Sequence, residues 1–324
     1  MRQITLREAL REAMAEEMRR DKNLFLIGTD VGPYGGEFQV SGNLYAEFGD
    51  DRVKDAPISE QGIIGCAIGA AITGCKAIAE IPFNDFIAMP MDQIVNQAAK
   101  FCYMFGGQTS VPIVIRSAVG GYLSAAEQHS QSLEAWFTHI PGLKVVMPST
   151  NYDAKGLLKS AIRDKNPVIF LEHKYLYPVK GEVPEEEYLI PLGIAEVKKQ
   201  GKDITVVATS YMIHKSLSMA NKLEREGISV EVLDPRTLVP LDKEMILNSV
   251  KKTGRLLVVQ EACKRGGYIN EIISIIADEG FKYLKAPVKR IGSKEAPIPF
   301  GSVLEDFILP GEAEIEKVIR ELVK

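Results

Sequence analysis

The sequence has no charge-free run of about 18 apolar residues, the length a membrane span needs. Even the stretch from Ile58 to Ile81 is broken by Glu60, Lys76 and Glu80, which argues against a membrane protein. GxGxxG, GxxxxGK, GxSxG and HExxH are all absent, so dinucleotide, P-loop, serine-hydrolase and zinc-protease readings lose their motif support. The four histidines, His129, His139, His173 and His214, never approach ligand spacing, which speaks against a transition-metal centre. Cys66, Cys75, Cys102 and Cys263 are scattered with no CxxC, and read as buried free thiols of a reducing compartment. Neither sign of charge dominates. With 39 basic against 43 acidic side chains and no basic cluster interleaved with aromatics, nucleic acid is not an expected partner. The first residues lack an apolar signal core; Thr5 and Glu8 read instead as a capping box, as expected of a cytoplasmic protein.

What is present suits two α/β domains. The length of 324 residues and a hydrophobic content of 46% are enough for a core in each. Continuous apolar runs at Leu24–Gly28, Ala77–Ile81, Val111–Arg116, Leu143–Pro148 and Val168–Glu172 read as buried parallel strands. Helical spacing lies between them, notably over Met91–Phe105 and Tyr152–Arg163. This alternation predicts a mostly parallel sheet covered on both faces. Residues 173–189 turn charged and proline-containing, and the strand pattern restarts at Ile204. The expected division is a domain over 1–180, a linker over 181–190 and a second three-layer domain over 191–324.

The stretch from Pro57 to Gly74 organises the first half. Pro57 ends a strand, Ser59 is a good N-cap, and the residues after Gln61 are apolar or small. Gly62, Gly65 or Cys66, Gly69 and Thr73 recur at three- and four-residue spacing. Each helical glycine costs roughly 1 kcal/mol relative to alanine, so the spacing predicts a helix packed closely on another helix, from this or another subunit. Glu60 stands at its mouth. One reading is a carboxylate that complements the helix dipole; the other is a catalytic acid, partly desolvated by Ile58, Ile63 and Ile64, with a raised pKa.

Two further residues follow strand ends, where α/β proteins place function. Phe86 is either core or a platform for a planar ring. His129, after the Gly-led loop Gly120–Gln131, is either bonded to nearby backbone or a proton shuttle.

Taken together, several blocks carry a resemblance: Pro57–Glu60, Met91–Lys100, Gly106–Gln108, Gln128–Gln131, Pro141–Val146, Asp153–Leu158 and Pro235–Leu238. Over essentially the whole chain the sequence resembles the β subunits of thiamine-diphosphate-dependent 2-oxo acid dehydrogenases. That resemblance implies a transketolase-like pyrimidine-binding domain followed by a transketolase C-terminal domain. It implies that Glu60 faces the cofactor's aminopyrimidine and drives its tautomerisation, so that the amino group can deprotonate the thiazolium carbon. Phe86 matches the aromatic beside the pyrimidine. His129 matches the active-site histidine, suited to proton transfer or to reductive acylation of lipoyl. A potassium ion is implied on the main-chain carbonyls of Ile113, Ala161, Ile162, Asp164 and Asn166.

The Gly-Asp-Gly motif with which thiamine enzymes usually cradle the diphosphate and Mg2+ is missing. The resemblance therefore implies an α subunit that holds Mg2+ and shares thiamine diphosphate in an α2β2 heterotetramer, and a lipoyl-bearing dihydrolipoyl acyltransferase as further partner. The expected reaction is oxidative decarboxylation of a small 2-oxo acid, pyruvate first. Acetoin cleavage, a branched-chain 2-oxo acid and a split transketolase are the alternatives. Two departures bear on this. Thr29 stands where relatives carry Glu, and Asp234–Leu238 with Met212–Lys215 look like the acetoin-cleaving branch.

Overall fold

The capping box expected at Thr5 opens the first helix. In the computed structural model, which describes residues 1–324, the Glu8 N–H donates to the Thr5 hydroxyl at 3.3 Å. The Thr5 N–H donates to the Glu8 carboxylate at 2.7 Å. Just before it lies a strand the sequence pattern did not reveal, β1 (Arg2–Thr5), and the helix itself is α1 (Leu6–Arg20). Then come β2 (Leu24–Thr29), α2 (Leu44–Phe48), β3 (Val53–Ala56), α3 (Glu60–Ile72) and β4 (Lys76–Ile81). After α4 (Phe101–Met104) follow β5 (Ile113–Val119), α5 (Glu134–Thr138), β6 (Lys144–Val146), α6 (Asn151–Arg163), β7 (Val168–His173) and β8 (Lys180–Val183).

Packing divides the chain into two units: Met1–Val119 with Trp136–Leu192, and Gly120–Ala135 with Gly193–Lys324. In the first unit six parallel strands lie in the order β6-β7-β5-β4-β2-β3. Parallel neighbours need crossovers that cover the faces of the sheet. Every residue of β5 and β7 is accordingly buried. Helix α1 is tied to α6 by charge: Glu17 accepts two bonds from Arg163, at 2.9 and 2.6 Å, and Lys159 reaches Glu16 at 2.6 Å.

The second unit contains β9 (Glu196–Lys199), β10 (Ile204–Ala208), α7 (Tyr211–Glu224), β11 (Val230–Asp234), β12 (Thr237–Val239), α8 (Lys243–Thr253) and β13 (Leu256–Cys263). It closes with α9 (Ile269–Ile275), β14 (Lys289–Ser293), α10 (Ser302–Ile308) and α11 (Glu312–Val323). Its sheet runs β14-β13-β10-β11-β9, parallel except for the edge strand β9. Val206, Val232, Leu257 and Val259 meet Ile213, Ala220, Ile315 and Ile319 in one core. No helix is long and apolar enough to cross a membrane.

Several sequence expectations need correcting. The single helix expected over Met91–Phe105 is broken into a π turn at Gln93–Ala98 and the short α4. There the Ala99 N–H reaches back five residues to the Ile94 carbonyl at 3.0 Å. The Pro141-Gly142 turn is seated against this backbone. Lys100 donates to the Pro141 carbonyl at 2.7 Å, and a β-carbon at Gly142 would collide with the Ala99 carbonyl. Residues 181–190, expected as a linker, are packed: β8 pairs antiparallel with β1, Tyr188 stacks on Tyr152 at 4.5 Å, and Ile190 is buried. Their apolar side chains gain more from α6 than from water. The cysteines are free, but Cys66 is exposed and the other three half-buried.

Candidate active site

Both first-unit candidates sit just beyond carboxyl ends of parallel strands, the place where α/β sheets leave room for ligands. Glu60 is the first residue of α3, four residues after β3, where the unpaired N–H groups and dipole of a helix start favour a carboxylate. Ser59 takes the N-cap position, yet its side chain makes no capping bond, contrary to expectation.

The expected oily shelter of Glu60 is half formed. Ile63 and Ile64 are buried, but Ile58 is 81% exposed, and Glu60 itself is half-buried. Ile58 belongs to the same open face as Gln61, Gly62, Cys66, Gly69, Ile72 and Thr73. No atom lies within 4 Å of where a β-carbon on Gly65 or Gly69 would be. The small-residue stripe therefore does not pack inward on its own chain; it is presented outward.

Phe86 lies in a 3-10 turn, Asn84–Ala88, just past β4. The Gln61 amide donates to the Met89 carbonyl at 3.0 Å, which ties the start of α3 to the end of that turn. Phe86 meets Phe83 edge-on at 5.8 Å, Phe83 meets Phe38 at 5.3 Å, and Phe38 meets Tyr177 at 5.2 Å. Glu60 and Phe86 are thus brought to neighbouring turns. Such a pair suits a flat heterocycle with a basic ring nitrogen.

Beneath the aromatic cluster lies a buried charge cluster that the sequence pattern did not reveal. Arg116 on β5 makes a two-pronged contact with Glu172 on β7, 2.7 Å on each prong, and reaches Glu80 on β4 at 2.6 Å. Tyr177 donates to Glu172 at 2.8 Å. Burial pushes Glu80 up, with Arg116 opposing and Glu172 reinforcing the rise. Burial also works against the Arg116 charge, but the two carboxylates more than offset it. The signal available was a charged residue inside each of three apolar runs; the missing information was their register.

His129 belongs to the second unit. β5 leads into a strap, residues 120–131, without helix or strand, and this strap belongs to the second unit. His129 is half-buried there, its N–H donating to the Ala126 carbonyl at 3.3 Å. Tyr122, Ser124 and Ala126 all have positive φ, at 65°, 52° and 64°. Left-handed backbone costs non-glycine residues roughly 1–2 kcal/mol each. Further along, Glu134 is fully buried, and that burial, opposed by its own backbone bond and reinforced by the negative Glu261, carries its pKa to about 7.

The five residues of the implied potassium site are neighbours. Ala161 and Ile162 lie in the last turn of α6, where carbonyls lack helical partners. Ile113 opens β5, whose next residue pairs with Val168 just beyond the Asp164–Pro167 turn. The Asp164 N–H donates to the Ala161 carbonyl at 3.2 Å. The Asp164 carboxylate accepts from the Asn166 backbone and side chain at 2.9 and 3.1 Å, and from Lys144. Burial opposes ionisation of Asp164, and those bonds hold its pKa below the usual value. Carbonyl oxygens at a helix C-terminus fit a hard monovalent cation.

Comparison with known proteins adds the following. The family model described as transketolase, pyrimidine binding domain, matches residues 2–180, and that described as transketolase, C-terminal domain, matches residues 193–315. Three relatives come from Bacillus subtilis. The acetoin:2,6-dichlorophenolindophenol oxidoreductase subunit beta is 48% identical over 334 residues, covering 99% of this chain and 98% of the relative. The 2-oxoisovalerate dehydrogenase subunit beta is 45% identical over 319 residues, covering 98% of each. The pyruvate dehydrogenase E1 component subunit beta is 44% identical over 325 residues, covering 100% of each. Among solved structures, a chain described as split gene transketolase, inactive beta4 tetramer, superposes with a TM-score of 0.81 at 24% identity. It covers 99% of this chain and 98% of that one.

Proposed function

Since this chain belongs to the family of transketolase-like dehydrogenase β subunits, we propose that it is the β half of a thiamine-diphosphate-dependent 2-oxo acid dehydrogenase. The proposed reaction is oxidative decarboxylation of a 2-oxo acid, pyruvate first, with transfer of the acyl group to lipoyl on an acyltransferase partner. The observation that carries the reading is Glu60 at the start of α3, tied through Gln61 to the turn of Phe86.

Bound thiamine diphosphate supplies a nucleophilic carbon for the substrate carbonyl. Glu60 would exchange a proton with a nitrogen of the bound pyrimidine ring, a general acid–base task for a carboxylate. Ile63 and Ile64 keep water from one side of it, and exposed Ile58 leaves the other side to be covered by a second polypeptide. Phe86 offers a ring face to the planar pyrimidine. His129 moves the proton at the substrate oxygen or at the lipoyl sulfur. Mg2+ and the diphosphate fall to an α subunit, because this chain has no Gly-Asp-Gly run. The carbonyls of Ile113, Ala161, Ile162, Asp164 and Asn166 would hold potassium.

Acetoin cleavage is the second reading, favoured by the 48% identity to an acetoin oxidoreductase subunit and by the Asp234–Leu238 run. The chain co-expressed with its α subunit is to be assayed through lipoyl on pyruvate, branched 2-oxo acids and acetoin. Pyruvate is expected to turn over fastest; acetoin in first place selects the second reading, and no turnover of any of the three overturns both.

A further inference from the structure

We propose that Glu261 and Glu305 are positioning residues, which hold the strap bearing His129 in the shape the reaction needs. The inference rests on the reading of His129 as a proton-transfer group. A segment with three left-handed non-glycine residues does not keep its form by local preference. Its form is imposed from outside by two carboxylates that arrive from distant parts of the second unit. Glu261 on β13 accepts from the Gly121 N–H at 2.6 Å, and Glu305 on α10 accepts from the Ser124 N–H at 3.0 Å. Both are buried, 6% and 2% exposed. Charged acceptors make the stronger bonds to backbone donors, and a buried N–H stripped of its acceptor is costly.

The two bonds bracket Tyr122, and this residue is fastened too. Its hydroxyl donates to the Pro310 carbonyl at 2.9 Å. Lys215 donates to the same carbonyl at 2.9 Å and lies 3.6 Å over the Tyr122 ring. A β-carbon at Gly121 would stand 2.6 Å from a Leu309 methyl and 3.0 Å from the Glu305 carboxylate, so the strap backbone lies close against both side chains. At the other end the Gly120 N–H donates to the Gln131 carbonyl at 3.2 Å, closing the strap into a loop around His129. The imidazole is thus suspended from a frame whose fixed points are two carboxylate oxygens. Both act through the strap.

The test uses the enzyme reconstituted with its α subunit. Glu261→Met and Glu305→Met remove the acceptors at similar volume, while Glu261→Gln and Glu305→Gln keep one. Amide hydrogen exchange over residues 120–126 reads the clamps, and kcat and KM for the 2-oxo acid read the consequence. The Met variants are expected to exchange faster at Gly121 or Ser124 and to lose kcat on the order of ten- to a hundred-fold, with KM unchanged. The Gln variants are expected to recover most of the loss. In a His129→Ala background the same Met changes are expected to cost no further kcat, since a misplaced group and an absent one fail alike. Unchanged exchange, unchanged kcat, or losses that add in full to that of His129→Ala overturn the proposal. Should a Met variant not assemble, the Ala variant at the same position, which also removes the acceptor, takes its place in the same cycle and is judged by the same outcomes. His129→Ala with undiminished turnover overturns the reading of His129, and the proposal with it, in the single variant alone.

Discussion

Glu134 should make this chain less stable as pH rises toward neutrality, and Glu134→Gln should remove that dependence. Its ordinary value of 4.5 for a glutamate is carried to about 7 by burial, with the negative Glu261 adding to the effect. Below about pH 4.5 the carboxyl is protonated whether the chain is folded or unfolded, and it costs nothing. Between 4.5 and 7 the unfolded chain releases the proton while the folded chain retains it. Stability therefore falls through this window and levels off above about pH 7. The gap corresponds to about 3 kcal/mol. A glutamine stays neutral throughout, so the variant should match the wild type near pH 4.5 and exceed it by up to about 3 kcal/mol at pH 8. Contributions from other titrating groups cancel in the difference. Trp136, the single tryptophan, lies on the same short helix as Glu134, so its fluorescence during urea unfolding reports the transition locally. A wild type and a variant that change in parallel from pH 4.5 to 8 would refute the argument.

Other outcomes follow from the same geometry. Arg116→Met leaves Glu80 and Glu172 buried without their cation and should lower stability by about 3–5 kcal/mol, measured by urea unfolding; a cost under about 1 kcal/mol would mean the cluster is solvated. Gly69→Leu should stabilise the isolated chain by up to about 1 kcal/mol, because nothing stands in the way of a side chain there. The same variant should fail to assemble with the α subunit in sedimentation experiments, and normal assembly would show that the open face of α3 is not a contact. Glu60→Gln in the reconstituted enzyme should lower kcat at least a hundred-fold while assembly persists. Calorimetry on the chain alone should detect no tight uptake of thiamine diphosphate and magnesium.

The parallel sheets were legible because strands buried on both faces are written as continuous apolar runs, and Ala77–Ile81, Val111–Arg116 and Val168–Glu172 all became strands of the first unit. Phe86 was legible as a residue just after such a run, and Glu60 as the carboxylate at the mouth of an apolar, small-residue helix. Pairings set by the crossovers were not. Glu80 stands level with Arg116 only because β4 and β5 adopt one register among several that the apolar pattern allows. β1 escaped notice because Arg2–Thr5 is too short to show a period and its partner is the far-off β8. The clamps on the strap lie 140 and 181 residues from the amides they hold, beyond the reach of any local rule. The π turn at Gln93–Ala98 still buries Ile94 and Ala98, so the apolar spacing alone does not disclose it.

The strand order also governs how the first unit can emerge from the ribosome. β5 is made before β7, yet it lies between β4 and β7, and Arg116 must wait for a partner 56 residues further on. At ordinary translation speeds that interval lasts roughly 3–11 s, during which the guanidinium lacks its two-pronged partner and an apolar strand edge remains uncovered. A nascent chain halted between Val119 and Glu172 should therefore be a preferred client of chaperones that bind extended apolar segments, and should lose that preference once Glu172 has left the exit tunnel.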